Sequence, residues 1–352
     1  MAATHRVTVE PVGREVDCRE DQTILDACLR NGIWLPHSCT HGTCGTCKAE
    51  LLDGDVDHGE ASAFALMDFE RDEGKLLLCQ ACPRSDVTIE GDVETEEGLE
   101  FAPVRDFLGT VTELRDIARE TRLVRLELDG PMTFAPGQYV SITVPGRGVT
   151  RTYSMANPPA QDTTIELNVR RTSGGAASDG WVFSTLAVGD RVELSGPYGR
   201  FVLHPARPEP AIMIAGGTGL APILSMIRHT LADPDATTVL HLYQGAREEQ
   251  DLYAVEELRA LAAAHPDRFT YNPCLSEQDW PGRTGLVTEV IDEDFDRLHG
   301  HVGYVCGPPA MVDAALKLLM RKRLFPRDIF REDFFDEADK AAGGMKSPLL
   351  KR

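Results

Sequence analysis

Nowhere in the 352-residue sequence do about 18 apolar residues run together, so no helix of this chain is expected to cross a membrane. No secretory leader is expected either. Residues 1–10 pass straight into the alternating run Val7-Thr8-Val9, with no basic stretch and apolar core before it, and a cytoplasmic location is expected. Positive charge is scarce: 36 Lys and Arg stand against 56 Asp and Glu, a net charge of −20. Residues 1–100 hold 8 Lys or Arg against 22 Asp or Glu, a balance of −14. A surface of that sign repels nucleic acid. It leaves a solvated acidic face or a docking face for a basic protein partner, and its overlap with the cysteine-rich part of the chain favours docking. No internal repeat is found, and no Ser/His/Asp set or carboxylate pair is evident.

What is present describes an ordinary globular protein of several domains. The hydrophobic fraction is 42% and the charged fraction 26%, and at roughly 150 residues per domain the length implies two or three. A first block, 1–98, closes in the acidic run from Glu94 to Glu100, which buries nothing and reads as a linker. A second, 99–207, carries short alternating runs at 109–114, 123–128 and 139–144 broken by Pro and Gly, the pattern of an antiparallel barrel. In the third, 208–352, strands at 211–215, 238–243 and 302–305 alternate with helices at 220–231, 252–264 and 310–322, which means a parallel α/β sheet. The tail from Ala341 is polar and expected to be loosely held.

Nine cysteines are many for a reducing compartment. Cys39, Cys44 and Cys47 form a C-x4-C-x2-C run, and Cys79 follows after 31 further residues, the spacing of a plant-type [2Fe-2S] site. Gly42 and Gly45 allow the loop to turn with positive φ, and small Thr43 and Thr46 leave backbone N–H groups to face sulfur. A zinc site over Cys44/Cys47 and Cys79/Cys82 would need a gap of roughly 15–20 residues and would leave Cys39 idle. A Rieske centre through Cys39 and His41 needs a second histidine ligand that no Cys-x2-His supplies. Cys18, Cys28 and Cys82 are more simply read as small buried hydrophobes.

In the second block Phe134-Ala-Pro-Gly-Gln-Tyr-Val140, Arg151-Thr152-Tyr153-Ser154 and Gly174-Gly175-Ala-Ala-Ser178 follow one another. Arg151 can pair a diphosphate, Tyr153 offers an aromatic face to a flavin ring and Ser154 a hydroxyl donor. The glycine turn running into Ser178 would set N–H groups against phosphate. Taken singly these are ordinary strand and turn residues; their order within one block is the signal. In the third block Ala215-Gly216-Gly217-Thr218-Gly219 lies between an apolar strand and a helix, and Cys306-Gly307-Pro308-Pro309 follows a later strand. Both stand at strand C-termini, where open α/β sheets bind nucleotides, although the first is not a strict G-x-G-x-x-G. Arg247-Glu-Glu-Gln-Asp251 follows the next strand, where an adenosine ribose would lie. Its acidic balance favours NADH over NADPH, against Arg247 alone. With no electropositive neighbour in sequence, Cys306 reads as an element of shape and polarity rather than a nucleophile.

Residues 1–98, with Leu78-Cys79-Gln80, resemble the ferredoxin module of oxygenase reductases, which implies a β-grasp sheet carrying the cluster loop. Residues 99–207 resemble the antiparallel six-stranded FAD-binding barrel of the ferredoxin-NADP reductase superfamily. That resemblance implies FAD contacts at Arg151, Thr152, Tyr153, Ser154, Val169, Arg170, Gly174, Gly175 and Ser178. Residues 208–352 resemble its Rossmann-like parallel α/β domain, which implies NADH contacts at Gly216, Gly217, Thr218, Gly219, Arg247, Asp251, Cys306, Gly307 and Pro308. In that family Cys306 corresponds to a cysteine near the reacting nicotinamide carbon. Glu332 and Phe334 match positions where a carboxylate lies near the flavin edge and an aromatic residue covers the ring, so Ser154, Cys306, Glu332 and Phe334 are expected around the reacting atoms. From Val7 to the Ser347-Pro-Leu-Leu-Lys351 tail, with Ala61–Asp68 as a sharper match, the chain is most similar to reductase components of soluble di-iron monooxygenases of the phenol hydroxylase and propane monooxygenase groups. The resemblance implies electron flow from NADH to FAD, to [2Fe-2S], to a separate oxygenase. Reductases of ring-hydroxylating dioxygenases share the architecture, and a redox-sensing module without turnover is the reading from another class.

Overall fold

The computed structural model describes residues 2–38, 40, 42–93 and 98–334; Cys39, His41, residues 94–97 of the acidic run and the tail lie outside them. The chain divides into two compact units, Met1–Asp106 with Ser195–Arg200, and Phe107–Leu194 with Phe201–Arg352.

In the first unit β1 (Thr4–Glu10) and β2 (Arg14–Arg19) form an antiparallel hairpin in which Val7 faces Val16. Val7, Val9, Val16 and Cys18 are buried at every second position, as one face of a sheet requires. Thr23 caps α1 (Ile24–Arg30) by accepting from the Asp26 N–H, and the helix buries Ile24, Leu25, Ala27, Cys28 and Leu29. Then come β3 (Lys48–Asp53), β4 (Val56–Asp57), the short α2 (Asp68–Asp72), β5 (Lys75–Leu77), β6 (Cys82–Pro83) and β7 (Val87–Glu90). The five-stranded sheet runs β2-β1-β7-β3-β5, with β1 and β7 parallel and the other pairs antiparallel. This is the expected β-grasp arrangement, and the cysteine loop leads into β3.

An antiparallel barrel, most of it in the second unit, is built from β8 (Arg105–Ala118), β9 (Thr121–Leu128), β10 (Tyr139–Val144), β11 (Val149–Ser154), β12 (Thr164–Arg170) and β13 (Arg191–Tyr198). Its strand order is β11-β10-β13-β8-β9-β12, and the Met155–Leu167 bridge joins the two ends. Two bulges in β8 bend the long strand, and the β8–β9 hairpin turns at Arg119 and Glu120, the latter at φ 57°. A parallel sheet follows, with β14 (Ala211–Gly216), α3 (Leu220–Ala232), β15 (Leu240–Ala246), α4 (Val255–Ala264), β16 (Phe269–Leu275), β17 (Arg283–Thr284), α5 (Val287–Asp294), β18 (Val302–Gly307), α6 (Pro309–Arg321) and β19 (Ile329–Asp333). Every residue of β14 and β18 is buried, as central parallel strands covered on both faces must be. The order β17-β16-β15-β14-β18-β19 reverses direction between β14 and β18, and that switch point positions the nucleotide motifs. Among the described residues no helix is long and apolar enough to cross a membrane.

Candidate functional site

The cluster loop is built by glycine and clasped by one glutamine. Gly42 takes φ 72°, and a Cβ there would stand 2.7 Å from Gln80 Cγ, so a side chain would displace Gln80. Gln80 Nε2 donates to Cys79 O at 2.9 Å and reaches Thr40 O at 3.5 Å. Cys47 and Cys79 are buried, and Leu78 N–H donates to Cys47 O at 3.0 Å. A hydrogen bond between the Cys47 and Cys79 sulfurs, together with burial, pushes the Cys47 thiol up. Cys44 donates to Thr46 Oγ1 at 3.2 Å. Adjacent, buried sulfurs on a tight loop fit thiolate ligation of iron, which removes the protons they share. Cys39, the first ligand of the expected set, lies outside the described residues, and among the described residues no three His, Cys, Asp or Glu side chains gather around one point. Burial pushes the thiols of Cys18 and Cys28 up to about 12, in keeping with inert core positions. Cys82 is only half-buried.

Sequence reasoning missed His37. It is buried within the first unit, its Nδ1 donates to Leu35 O at 2.8 Å and its Nε2 accepts from Gly199 N–H at 3.1 Å. Because Nε2 must be the acceptor, the ring is neutral with its proton on Nδ1. Two residues before Cys39, it fixes the stem of the cluster loop.

On the barrel, β11 pairs with β10 so that Arg151 faces Ile142, Tyr153 faces Val140 and Ser154 faces Tyr139. Arg151 and Tyr153 share one face of the strand, Thr152 and Ser154 the other. The Tyr153 ring packs on the barrel core and borders a void of about 10 Å³ that Val169 and Trp181 also line. That space suits one water at most and is no flavin pocket. Burial pushes the Tyr153 phenol up to about 12, against the pull of Arg151. Arg170 is exposed at the end of β12, while Val169 is buried. Beyond it Ser178 Oγ accepts from Thr172 N–H at 3.0 Å, Gly175 N–H donates to Thr172 O at 2.9 Å, and Asp179 accepts from Gly174 N–H at 3.1 Å. The glycine turn is thus closed on itself. Asn168, 6% exposed, keeps a buried Oδ1 with no hydrogen-bond partner. An acceptor left so beside Val169 fits a ligand that brings a donor.

The nucleotide motifs meet at the switch point. A Cβ on Gly219 would stand 2.3 Å from Cys306 O, so the glycine turn and the Cys306-Gly307 strand end lie in contact. Gly217–Gly219 form one 3-10 turn, from which α3 starts. β18 pairs with β19 so that Cys306 faces Glu332 and Gly307 faces Asp333, and Phe334 N–H donates to Gly307 O at 3.1 Å. The structure therefore brings Cys306, Glu332 and Phe334 together beside Gly216–Gly219, while Ser154 stands on the barrel. Cys306 is 0% exposed; burial pushes its thiol well up, and Glu332 and Asp333 add to the effect. A thiol raised in this way fits an element of shape and polarity better than a nucleophile. Buried Tyr253 donates to Gly217 O of the phosphate turn at 3.2 Å. Arg247 Nε lies 3.7 Å from Asp251 Oδ2. A second arginine that sequence reasoning missed, Arg119, pairs with Asp251 at 2.7 Å and Glu248 at 2.8 Å.

The sequence matches three family models in chain order: a 2Fe-2S iron-sulfur cluster binding domain over 7–84, an oxidoreductase FAD-binding domain over 109–203 and an oxidoreductase NAD-binding domain over 213–317. It is 46% identical over 354 residues to the reductase component of phenol 2-monooxygenase from Pseudomonas sp. (strain CF600), covering 99% of each chain. The chain belongs to the family of flavin and [2Fe-2S] reductase components. Another member, the reductase component of propane 2-monooxygenase from Rhodococcus jostii, is 36% identical over 96% of this chain and 93% of that one. Among solved structures, a cytochrome P450 reductase of Amycolatopsis superposes with a TM-score of 0.89 at 45% identity, over 94% of this chain and 99% of that one. The reductase is thus an oxidoreductase with FAD, [2Fe-2S] and NAD-binding domains, and it transfers electrons through flavin and cluster. An oxygenase partner follows from that family.

Proposed function

We propose that the reductase draws electrons from NADH and delivers them to the hydroxylase of a multicomponent di-iron monooxygenase that acts on phenol or a small alkane such as propane. The observation that carries this reading is the 46% identity along 99% of the phenol 2-monooxygenase reductase component. Bound FAD supplies the exchange between a two-electron hydride and the single electrons that a [2Fe-2S] centre carries. The chain's own residues do the rest. Cys39, Cys44, Cys47 and Cys79 hold the cluster; Arg151, Thr152, Tyr153, Ser154, Val169, Arg170, Gly174, Gly175 and Ser178 hold the flavin. Gly216–Gly219, Gly307 and Pro308 seat the dinucleotide, neutral Cys306 shapes the nicotinamide site without adding charge, and Glu332 and Phe334 border the ring edge. Arg247 stands beside Asp251 among Glu248 and Glu249, an acidic setting that supports NADH over NADPH. In this reading the domains are 1–98, 99–207 and 208–352 and the protein is cytoplasmic.

Docking is assigned to the acidic ferredoxin domain. Phe64 is 90% exposed, with Met67 and Phe69 also exposed, and Ser62 N–H donates to Gly42 O of the cluster loop at 3.0 Å. A bare aromatic side chain beside the electron-delivering loop supports a contact face with an apolar centre and an acidic rim.

The test is an anaerobic NADH titration of the FAD- and iron-loaded protein, followed by electron delivery to a phenol-hydroxylating di-iron oxygenase. Flavin bleaching, a one-electron [2Fe-2S] EPR signal and phenol-dependent NADH consumption are expected. Absence of the cluster signal, or of turnover with any acceptor, would favour the redox-sensing module. The P450 reductase likeness supports a second reading, a haem oxygenase partner. Turnover with a P450 partner and none with di-iron or ring-hydroxylating oxygenases would establish it.

A further inference from the structure

We infer that Arg119, at the tip of the β8–β9 hairpin, is a positioning residue that fixes the carboxylates reading the adenosine ribose of the nicotinamide nucleotide. The inference rests on the assignment of Asp251 to that ribose. Arg119 N–H donates to Gln250 O at 2.8 Å. Its side chain forks onto Asp251, Nε to Oδ1 at 2.8 Å and Nη2 to Oδ2 at 2.7 Å, while Nη1 donates to Glu248 Oε2 at 2.8 Å. One residue of the barrel therefore holds the main chain at Gln250 and the acidic side chains of Glu248 and Asp251 in the segment that follows β15.

The turn stands where a ribose is read. β15 lies beside β14 with Gly245 facing Gly216, so the chain leaving β15 adjoins the chain leaving β14 into the glycine turn. In a sheet of this order the acidic residue after the second strand meets the ribose hydroxyls. A carboxylate offers about four acceptor positions, and a bidentate guanidinium takes two and sets the direction of the others. Left on its own, a carboxylate at a surface turn would have to be ordered by each incoming ribose. Three carboxylates, Glu248, Glu249 and Asp251, stand against two guanidiniums, Arg119 and Arg247, and leave one negative charge in the segment, which accepts from a 2′-hydroxyl and repels a 2′-phosphate. The Arg119 guanidinium, held by Asp251 and Glu248, is not offered to that phosphate.

The measurement is dissociation of NADH, NADPH and NADH lacking the adenosine 2′-hydroxyl from the FAD-loaded protein, by anaerobic stopped-flow flavin reduction. It is made on wild type, Arg119→Gln, Arg119→Lys and Asp251→Asn, with flavin content as the check on folding. For Arg119→Gln we expect NADH to bind about tenfold more weakly with the limiting rate of flavin reduction within twofold of wild type, the 2′-deoxy analogue to bind as it does to wild type, and the discrimination against NADPH to shrink. Arg119→Lys, which keeps charge but not the fork, should restore only part of the loss. Equal weakening of NADH and the deoxy analogue would make Arg119 a mere strut and overturn the inference. So would unchanged NADH binding in Arg119→Gln alongside weakened binding in Asp251→Asn. Unchanged binding in Asp251→Asn as well would remove the ribose from Asp251, and the inference with it.

Discussion

Gly219 has a φ of −61°, which any residue can adopt, so what requires glycine there is proximity alone. Its missing side chain lets the glycine turn rest on the Cys306 carbonyl, and the atoms a Cβ would strike are backbone, 2.3 Å and 2.5 Å away. Backbone in a buried strand cannot step aside. Gly219→Ala should therefore push the turn off β18, costing about 1–3 kcal/mol of unfolding free energy by urea denaturation and weakening NADH about tenfold or more, with flavin content preserved. Unchanged NADH affinity would mean that the turn does not seat the dinucleotide. The motif residues around it were legible because their signals are local: four cysteines at fixed spacing, a glycine turn after an apolar run, a Cys-Gly-Pro after another. His37 and Arg119 were not, because the atoms that give them meaning, Gly199 N and the Asp251 carboxylate, lie 162 and 132 residues away.

At the level of elements, periodicity located seven of the strands and three of the helices, and misplaced ends that are set by partners. The strand read at 238–243 begins at Leu240 and continues to Ala246, because its limits are those of its ladder with β16, Leu240 to Phe269 and Ala246 to Leu275. The helix read at 252–264 begins at Val255, since Ala254 takes φ 57° and breaks it; an alanine gives no warning of a left-handed turn. β19 carries Glu332 and is defined only by pairing with β18, so the resemblance located those residues where periodicity did not. The segment before α2 yields a test at this scale. Phe64 is too exposed to support the fold, so Phe64→Gln should leave stability and NADH-driven ferricyanide reduction within twofold of wild type. Electron delivery to the oxygenase should require about tenfold more oxygenase for half-maximal rate, in line with a hot-spot aromatic. An unaltered dependence on oxygenase concentration would place the docking face elsewhere.

Charge belongs to the molecule as a whole, and it sets the signs of three encounters apart. The net charge of −20 repels NADH and ferricyanide, both anions, while the −14 concentrated in residues 1–100 attracts a basic oxygenase face. Salt shortens the reach of all these fields, to about 10 Å at 0.1 M and about 3 Å at 1 M. Raising NaCl from about 20 to 500 mM should therefore leave unchanged or speed the bimolecular steps with NADH and ferricyanide, and slow the second-order transfer from reduced reductase to oxygenase by about tenfold or more, the range of electrostatic steering. Stopped-flow traces of each step separate them, because the internal passage from flavin to cluster is first order and carries no encounter. A fall in all three rates would indicate a general effect of salt on the protein. A rise in the oxygenase step would show that the partner meets the reductase through an acidic or neutral face, and the acidic ferredoxin surface would then serve solubility rather than docking.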